Sequence, residues 1–121
     1  MAKFAYRMQN ILDLKEKMES QRKAEYGLAN AKLRQEEDKL RQLMIRKAGY
    51  EKHARELVKG SINIQEIKTC KHAVEAMKSA IRTQMMEIQV AEKNVELARS
   101  RLNEVMIERK TYEKLLSLIH I

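Results

Sequence analysis

Apolar residues recur along this chain with the period of a helix that faces a partner. In the C-terminal half, Ile67, Val74, Ile81, Ile88, Val95 and Leu102 fall every seven residues. Cys70, Met77, Gln84, Ala91, Ala98, Val105 and Tyr112 form a second set, offset by three. A stripe repeating every 3.5 residues keeps facing its partner only if the helices supercoil, so the pattern predicts a left-handed coiled coil. The N-terminal half is less regular. Phe4, Ile11, Leu14, Met18 and Leu28 follow one phase, while Tyr26, Ala29, Leu33, Leu40, Leu43, Tyr50, Ala54 and Leu57 follow another, shifted by one residue. The crossover near Gly27 predicts a local change of winding. Glu36 and Lys47 interrupt the stripe, so this helix is expected to be the less buried of the two.

Stop signals collect in one place, Val58-Lys59-Gly60-Ser61-Ile62-Asn63-Ile64-Gln65-Glu66. Gly60 can take the left-handed conformation that closes a helix, and Asn63 can cap the next one, with Glu66 three residues on as in a capping box. The chain therefore reads as all-α: a long two-helix antiparallel coiled-coil hairpin, with helices over 3–58 and 64–115 and one reversal near residues 59–63. Each helix is expected to run roughly 80 Å at 1.5 Å per residue. A short loop makes consecutive helices antiparallel neighbours, so paired residue numbers are expected to sum to about 122. That places Leu57 beside Ile64 and Ile67, Leu40 beside Ile81, and Leu33 beside Ile88. Two helices bury only a narrow stripe each, so the hairpin is expected to be marginally stable and to need a partner protein.

Residues 1–115 form a single domain on this reading. The last six residues, Leu116-Ser117-Leu118-Ile119-His120-Ile121, translate codon by codon a transposon mosaic-end adapter used in sequencing libraries. They are read as an adapter scar, with the natural C-terminal tail missing.

Composition narrows the function. The 121 residues include 25 Lys+Arg and 17 Asp+Glu, a formal charge of +8, with aromatics at 4%, no Pro or Trp, and three Gly. Scarce turn residues argue against an all-β fold, and abundant charge argues for long exposed helices. The lone Cys70 excludes an internal disulfide. The first 60 residues hold 15 basic and 9 acidic residues, a net +6, and the remainder hold 10 and 8, a net +2. The basic residues are interleaved with acids and lack an aromatic platform, so a solvated face or an acidic protein partner is favoured over nucleic acid.

No catalytic constellation stands out. There is no Gly-rich phosphate loop, no Cys-x-x-Cys and no His-x-x-x-His. Cys70 and His72 point to different helix faces and cannot share a metal, so Cys70 is read as seam packing and His53 as a surface residue. No cofactor, metal or small-molecule substrate is expected, and no enzymatic activity. Asp13/Lys17, Glu19/Lys23, Glu37/Arg41 and Glu51/Arg55 have the favourable acid-first spacing for pairs along a helix. Met8, Met18 and Met77 fit the seam, while Met44, Met85, Met86 and Met106 flank it, as either a widened seam or an adaptable binding surface.

The opening Phe4-Ala5-Tyr6-Arg7-Met8-Gln9-Asn10-Ile11-Leu12-Asp13-Leu14-Lys15-Glu16 resembles the start of the flagellar export protein FliJ family. The closing Glu108-Arg109-Lys110-Thr111-Tyr112-Glu113-Lys114-Leu115 is similar to that family's Glu-Arg-Lys-x-x-Glu-Lys-Leu stretch. Met8 stands where that family usually has Leu. The resemblance covers residues 2–115. It implies a two-helix antiparallel coiled coil, similar to that of the rotary ATPase γ subunit, working in the flagellar type III export apparatus. It further implies a cytoplasmic protein, peripherally associated with the membrane at the flagellar base. Its implied partners are the hexameric export ATPase, the export gate membrane protein and export chaperones. By position, Phe4, Tyr6, Met8, Ile11 and Tyr112 would contact the ATPase, and Leu43, Tyr50, Met77 and Ala80 the export gate. The alternatives are a basic nucleic-acid-binding coiled coil and a structural tether.

Overall fold

The computed structural model describes residues 2–60 and 63–120. It consists of two helices, α1 (Ala2–Lys59) and α2 (Ile64–Ile119), packed on each other as the all-α antiparallel hairpin that the heptads predict. Ser61 and Ile62, inside the expected reversal, lie outside the described residues. Asn63 does cap α2: its Oδ1 accepts from the backbone N–H groups of Gln65 (3.0 Å) and Glu66 (3.3 Å). Two of the donors that a helix start leaves free are satisfied in this way. Gly60 behaves differently from expectation. No described residue has positive φ, so α1 does not end on a left-handed glycine.

Contacts divide the chain into two units, one formed by Met1–Ala31 with Lys93–Ile121 and the other by Lys32–Glu92. In the first, which holds both termini, Met8, Leu12 and Leu116 are buried, and Ile11, Tyr112 and Ile119 pack against them. Val95, Ala98 and Val105 are buried in the same unit. The helix continues four residues past the end read from the sequence. Its physical reason is the seam itself: Leu116 extends the seven-residue set that begins at Ile67, and Ile119 extends the set that begins at Cys70.

In the second unit, Cys70, Ala91 and Glu36 are buried. Leu33, Leu40, Leu43, Tyr50, Ala54 and Leu57 of α1 are half-buried, as are Ile67, Val74, Met77, Ile81 and Ile88 of α2. Ile64, expected beside Leu57, is instead 64% exposed. Gln84 bonds to Glu36, and one groove is lined by Tyr50 and His53 together with Thr69, Cys70 and Ala73. Those juxtapositions fall within a turn of the expected register.

The phase change in α1 is corrected by the structure. Phe4, Leu14 and Leu28, assigned to a first seam, are 51%, 56% and 72% exposed. A single seven-residue frame runs through α1 without a break: Met8, Lys15, Arg22, Ala29, Glu36, Leu43, Tyr50 and Leu57, interleaved with Leu12, Glu19, Tyr26, Leu33, Leu40, Lys47 and Ala54. All of these residues are buried or half-buried. Three successive positions between Leu12 and Tyr26 are charged, so the apolar pattern hides the frame there. Among the described residues, α2 contributes most of the buried positions, in keeping with the expectation that α1 is the less buried helix.

Candidate functional site

Several charged seam positions are paired across the helices, while Arg22 and Lys47 pair within α1, with Glu25 and Glu51. In the unit holding the termini, Lys15 Nζ donates to Glu108 Oε2 at 2.6 Å. The hydrogen bond to Glu108 raises the Lys15 pKa against the opposing effect of desolvation. Arg109 stands in the α2 frame between Leu102 and Leu116. Its Nε donates to Glu19 Oε1 at 2.9 Å, and another guanidinium nitrogen donates to Glu113 Oε1 at 2.8 Å. The Arg109 and Glu19 side chains retain 19% and 13% of their exposure, so this ion pair crosses the seam largely shielded from water. Bonds to Glu113 and then Glu19 hold the Arg109 pKa above its usual value. Farther along, Arg99 donates to the Tyr26 hydroxyl at 3.3 Å, with its guanidinium carbon 5.9 Å from the ring centre. That bond lowers the phenol's pKa, while the Asn30 side-chain amide donates to the Tyr26 backbone carbonyl at 3.1 Å.

The second unit has one deeper polar layer. Glu36 is only 4% exposed, the one buried charged residue among the described residues. Gln84 Nε2 donates to Glu36 Oε2 at 2.6 Å and to the Glu36 carbonyl oxygen at 2.9 Å. Lys32 and Lys39, one turn away on either side, reach Oε1 at 2.9 and 3.2 Å. Lys32 first, then Gln84, hold the carboxyl pKa down to about 2, against the desolvation that would raise it. The layer favours one register, because a shift by one heptad would put Met77 or Ala91 in the place of Gln84 and leave Glu36 with only Lys32 and Lys39 of its own helix.

Sequence spacing placed Gln84 in the seam and marked Glu36 and Lys47 as its interruptions, but it did not reveal Lys15, Glu19, Arg22 and Arg109. Their signal was available: extending the frame of Met8 and Leu43 by sevens, whatever the polarity of the residues met, passes through Lys15 and Arg22. Of the expected pairs along one helix, Glu19 and Lys23 approach to 3.9 Å. Arg41 instead pairs with Asp38, and Glu51 with Lys47. Asp13 accepts from Gln9.

The residues singled out for partner contacts fall in two groups. Met8, Ile11 and Tyr112 belong to the terminal apolar cluster, with Met8 buried in it. Phe4 and Tyr6 stand on the first turns of α1 at 51% and 70% exposure. Leu43, Tyr50, Met77 and Ala80 all lie in the other unit and are half-buried. Cys70 is a buried free thiol at its seam position, and His53 is exposed, both as expected. Met44, Met85 and Met86 are 46%, 48% and 65% exposed, so they lie outside the seam.

Two helices packed through apolar and ion-paired layers define a coiled-coil hairpin. The family model described as "Flagellar FliJ protein" matches residues 4–119. This chain belongs to the FliJ family, and membership makes it a component of the flagellar export apparatus, a role that is non-catalytic in that family. No curated protein and no solved structure matches it. No described helix is long and apolar enough to cross a membrane.

Proposed function

We propose that this chain is the stalk of the export machinery: it enters the hexameric export ATPase, raises its ATP hydrolysis, and links it to the export gate and to substrate chaperones. The observation that carries the reading, beside family membership, is the pair of aromatic side chains left in water at the start of α1. Phe4 and Tyr6 project next to the terminal cluster that fixes Met8, Ile11 and Tyr112. Exposed aromatics on a rigid support are well suited to be interface anchors. Met8, being buried, acts by holding that first segment of α1 in place. Leu43, Tyr50, Met77 and Ala80, half-covered in the other unit, would supply the gate contact.

A coupling element works by touching the states of its partner unequally, so that each contact shifts a population. It must also keep one register under load. The Glu19–Arg109 and Glu36–Gln84 layers support that requirement.

The test is ATP turnover by the cognate flagellar export ATPase with and without the full chain. Stimulation is expected with the wild type and is expected to fall severalfold with Phe4→Ala/Tyr6→Ala, whose helicity should be unchanged. Absence of both binding and stimulation by the wild type would overturn the reading.

A further inference from the structure

The residues flanking the reversal carry two features that the seam does not use. Lys52, Arg55 and Lys59 on α1, with Lys68 and Lys71 on α2, are all exposed. Residues 52–71 set these five cations against two carboxylates, Glu56 and Glu66. The neighbouring acids give them little relief, because Glu51 is held by Lys47 at 3.2 Å and Glu75 by Lys78 at 3.3 Å. Arg55 and Lys71 come together in a groove that Ala54 and Val74 also line, with the paired Glu51 and Glu75 at its edge. The second feature is apolar. Val58, on the last turn of α1, is 57% exposed, and Ile64, the first residue of α2, is 64% exposed.

Exposed branched apolar side chains in a segment with five cations to two carboxylates match the chemistry of one surface in particular. At an anionic bilayer, apolar side chains enter the acyl boundary while the cations meet lipid phosphates. A nucleic acid would engage the cations and leave Val58 and Ile64 in water. We propose that the reversal end of this chain docks on an anionic lipid bilayer through Val58 and Ile64, with Lys52, Arg55, Lys59, Lys68 and Lys71 as the electrostatic collar. The surface lies in the unit of residues 32–92, and the inference does not rest on ATPase contact by Phe4 and Tyr6.

The experiment is co-sedimentation of the full chain with phosphatidylcholine vesicles, with and without phosphatidylglycerol, at low and raised salt. Binding is expected only with phosphatidylglycerol and is expected to weaken with salt. Lys59→Gln/Lys68→Gln should lower the partition coefficient by about fivefold per charge removed. Val58→Ser/Ile64→Ser should lower it severalfold with an unchanged salt slope. Lys17→Gln/Lys93→Gln, which removes two exposed charges from the other unit, should bind as the wild type does. Should either reversal-end variant lose helicity by circular dichroism, Lys52→Gln/Lys71→Gln replaces the charge variant and Val58→Thr/Ile64→Thr the apolar one. The proposal is overturned by binding that ignores phosphatidylglycerol, by a control variant that loses as much as the charge variant, or by an apolar variant that binds like wild type. It is equally overturned if duplex DNA at equal phosphate strips the protein from the vesicles.

Discussion

Two glycines sit inside α1 where nothing in their surroundings calls for glycine. Gly27 and Gly49 are exposed, neither has positive φ, and a Cβ added at either would meet nothing within 4 Å. Glycine in a helix interior forfeits about 1 kcal/mol relative to alanine, because more backbone freedom is lost on folding. Gly27→Ala and Gly49→Ala are therefore each expected to stabilise the chain by about 1 kcal/mol. For a domain of this size that corresponds to a rise in Tm of about 3–6 °C by calorimetry or circular dichroism. A fall in Tm would mean that one of these sites bends the helix or meets a neighbour in solution. Gly27 has a second interest at this scale. It stands where the apolar pattern of α1 appeared to change phase, yet the seven-residue frame passes it unbroken, from Arg22 and Tyr26 to Ala29 and Leu33.

That frame explains what could and could not be read from the sequence at the scale of the helix. The seam of α2 was legible from Ile67 to Leu102 because its core positions are nearly all apolar, with Gln84 as the exception. The Asn63 cap was legible because a short side-chain oxygen ahead of an apolar-periodic run has few other uses. The first half of α1 misled, because hydrophobicity and burial part company there. Lys15, Glu19 and Arg22 lie in the seam, while Phe4, Leu14 and Leu28 lie outside it. Polarity by itself cannot distinguish a solvated charge from one that meets its counter-ion across a helix pair. The proposed partner contacts were not legible from spacing; they rest on the family resemblance. A layer of this kind makes a definite energetic prediction. Removing Arg109 leaves the shielded Glu19 with only Lys23 near it, at 3.9 Å, whereas replacing both Glu19 and Arg109 with apolar residues restores an ordinary seam layer. Arg109→Leu alone is expected to lower Tm, and Glu19→Leu/Arg109→Leu to recover wild-type Tm or exceed it. The double-mutant cycle by thermal unfolding isolates the coupling of the pair. Should Arg109→Leu alone be as stable as the wild type, the ion pair observed across the seam contributes nothing to the fold.

For the whole molecule, charge and acid stability are one problem. With 25 Lys+Arg, 17 Asp+Glu and 3 His, the chain starts at +8, and protonating its carboxylates leaves only cations, whose repulsion works against a compact state. Glu36 ties this balance to folding. Its folded pKa is held down to about 2 by Lys32, Gln84 and Lys39, from an ordinary value of 4.5. A depressed carboxyl pKa means that the unfolded chain takes up the proton first. The stabilisation from Glu36 is therefore present in full above pH 4.5 and is lost progressively as pH falls toward 2. Glu36→Gln removes that titration, though its amide cannot bond Lys32 and Lys39 as the carboxylate does. The variant is expected to be less stable than wild type at neutral pH, with the gap in Tm narrowing between pH 4.5 and 2 until the two curves approach each other. Parallel curves over that interval would show that the carboxylate is not selectively stabilised by folding. Because Gln84 donates to the Glu36 carbonyl as well as to its carboxylate, the variant should retain one bond across the seam at every pH and should remain helical throughout.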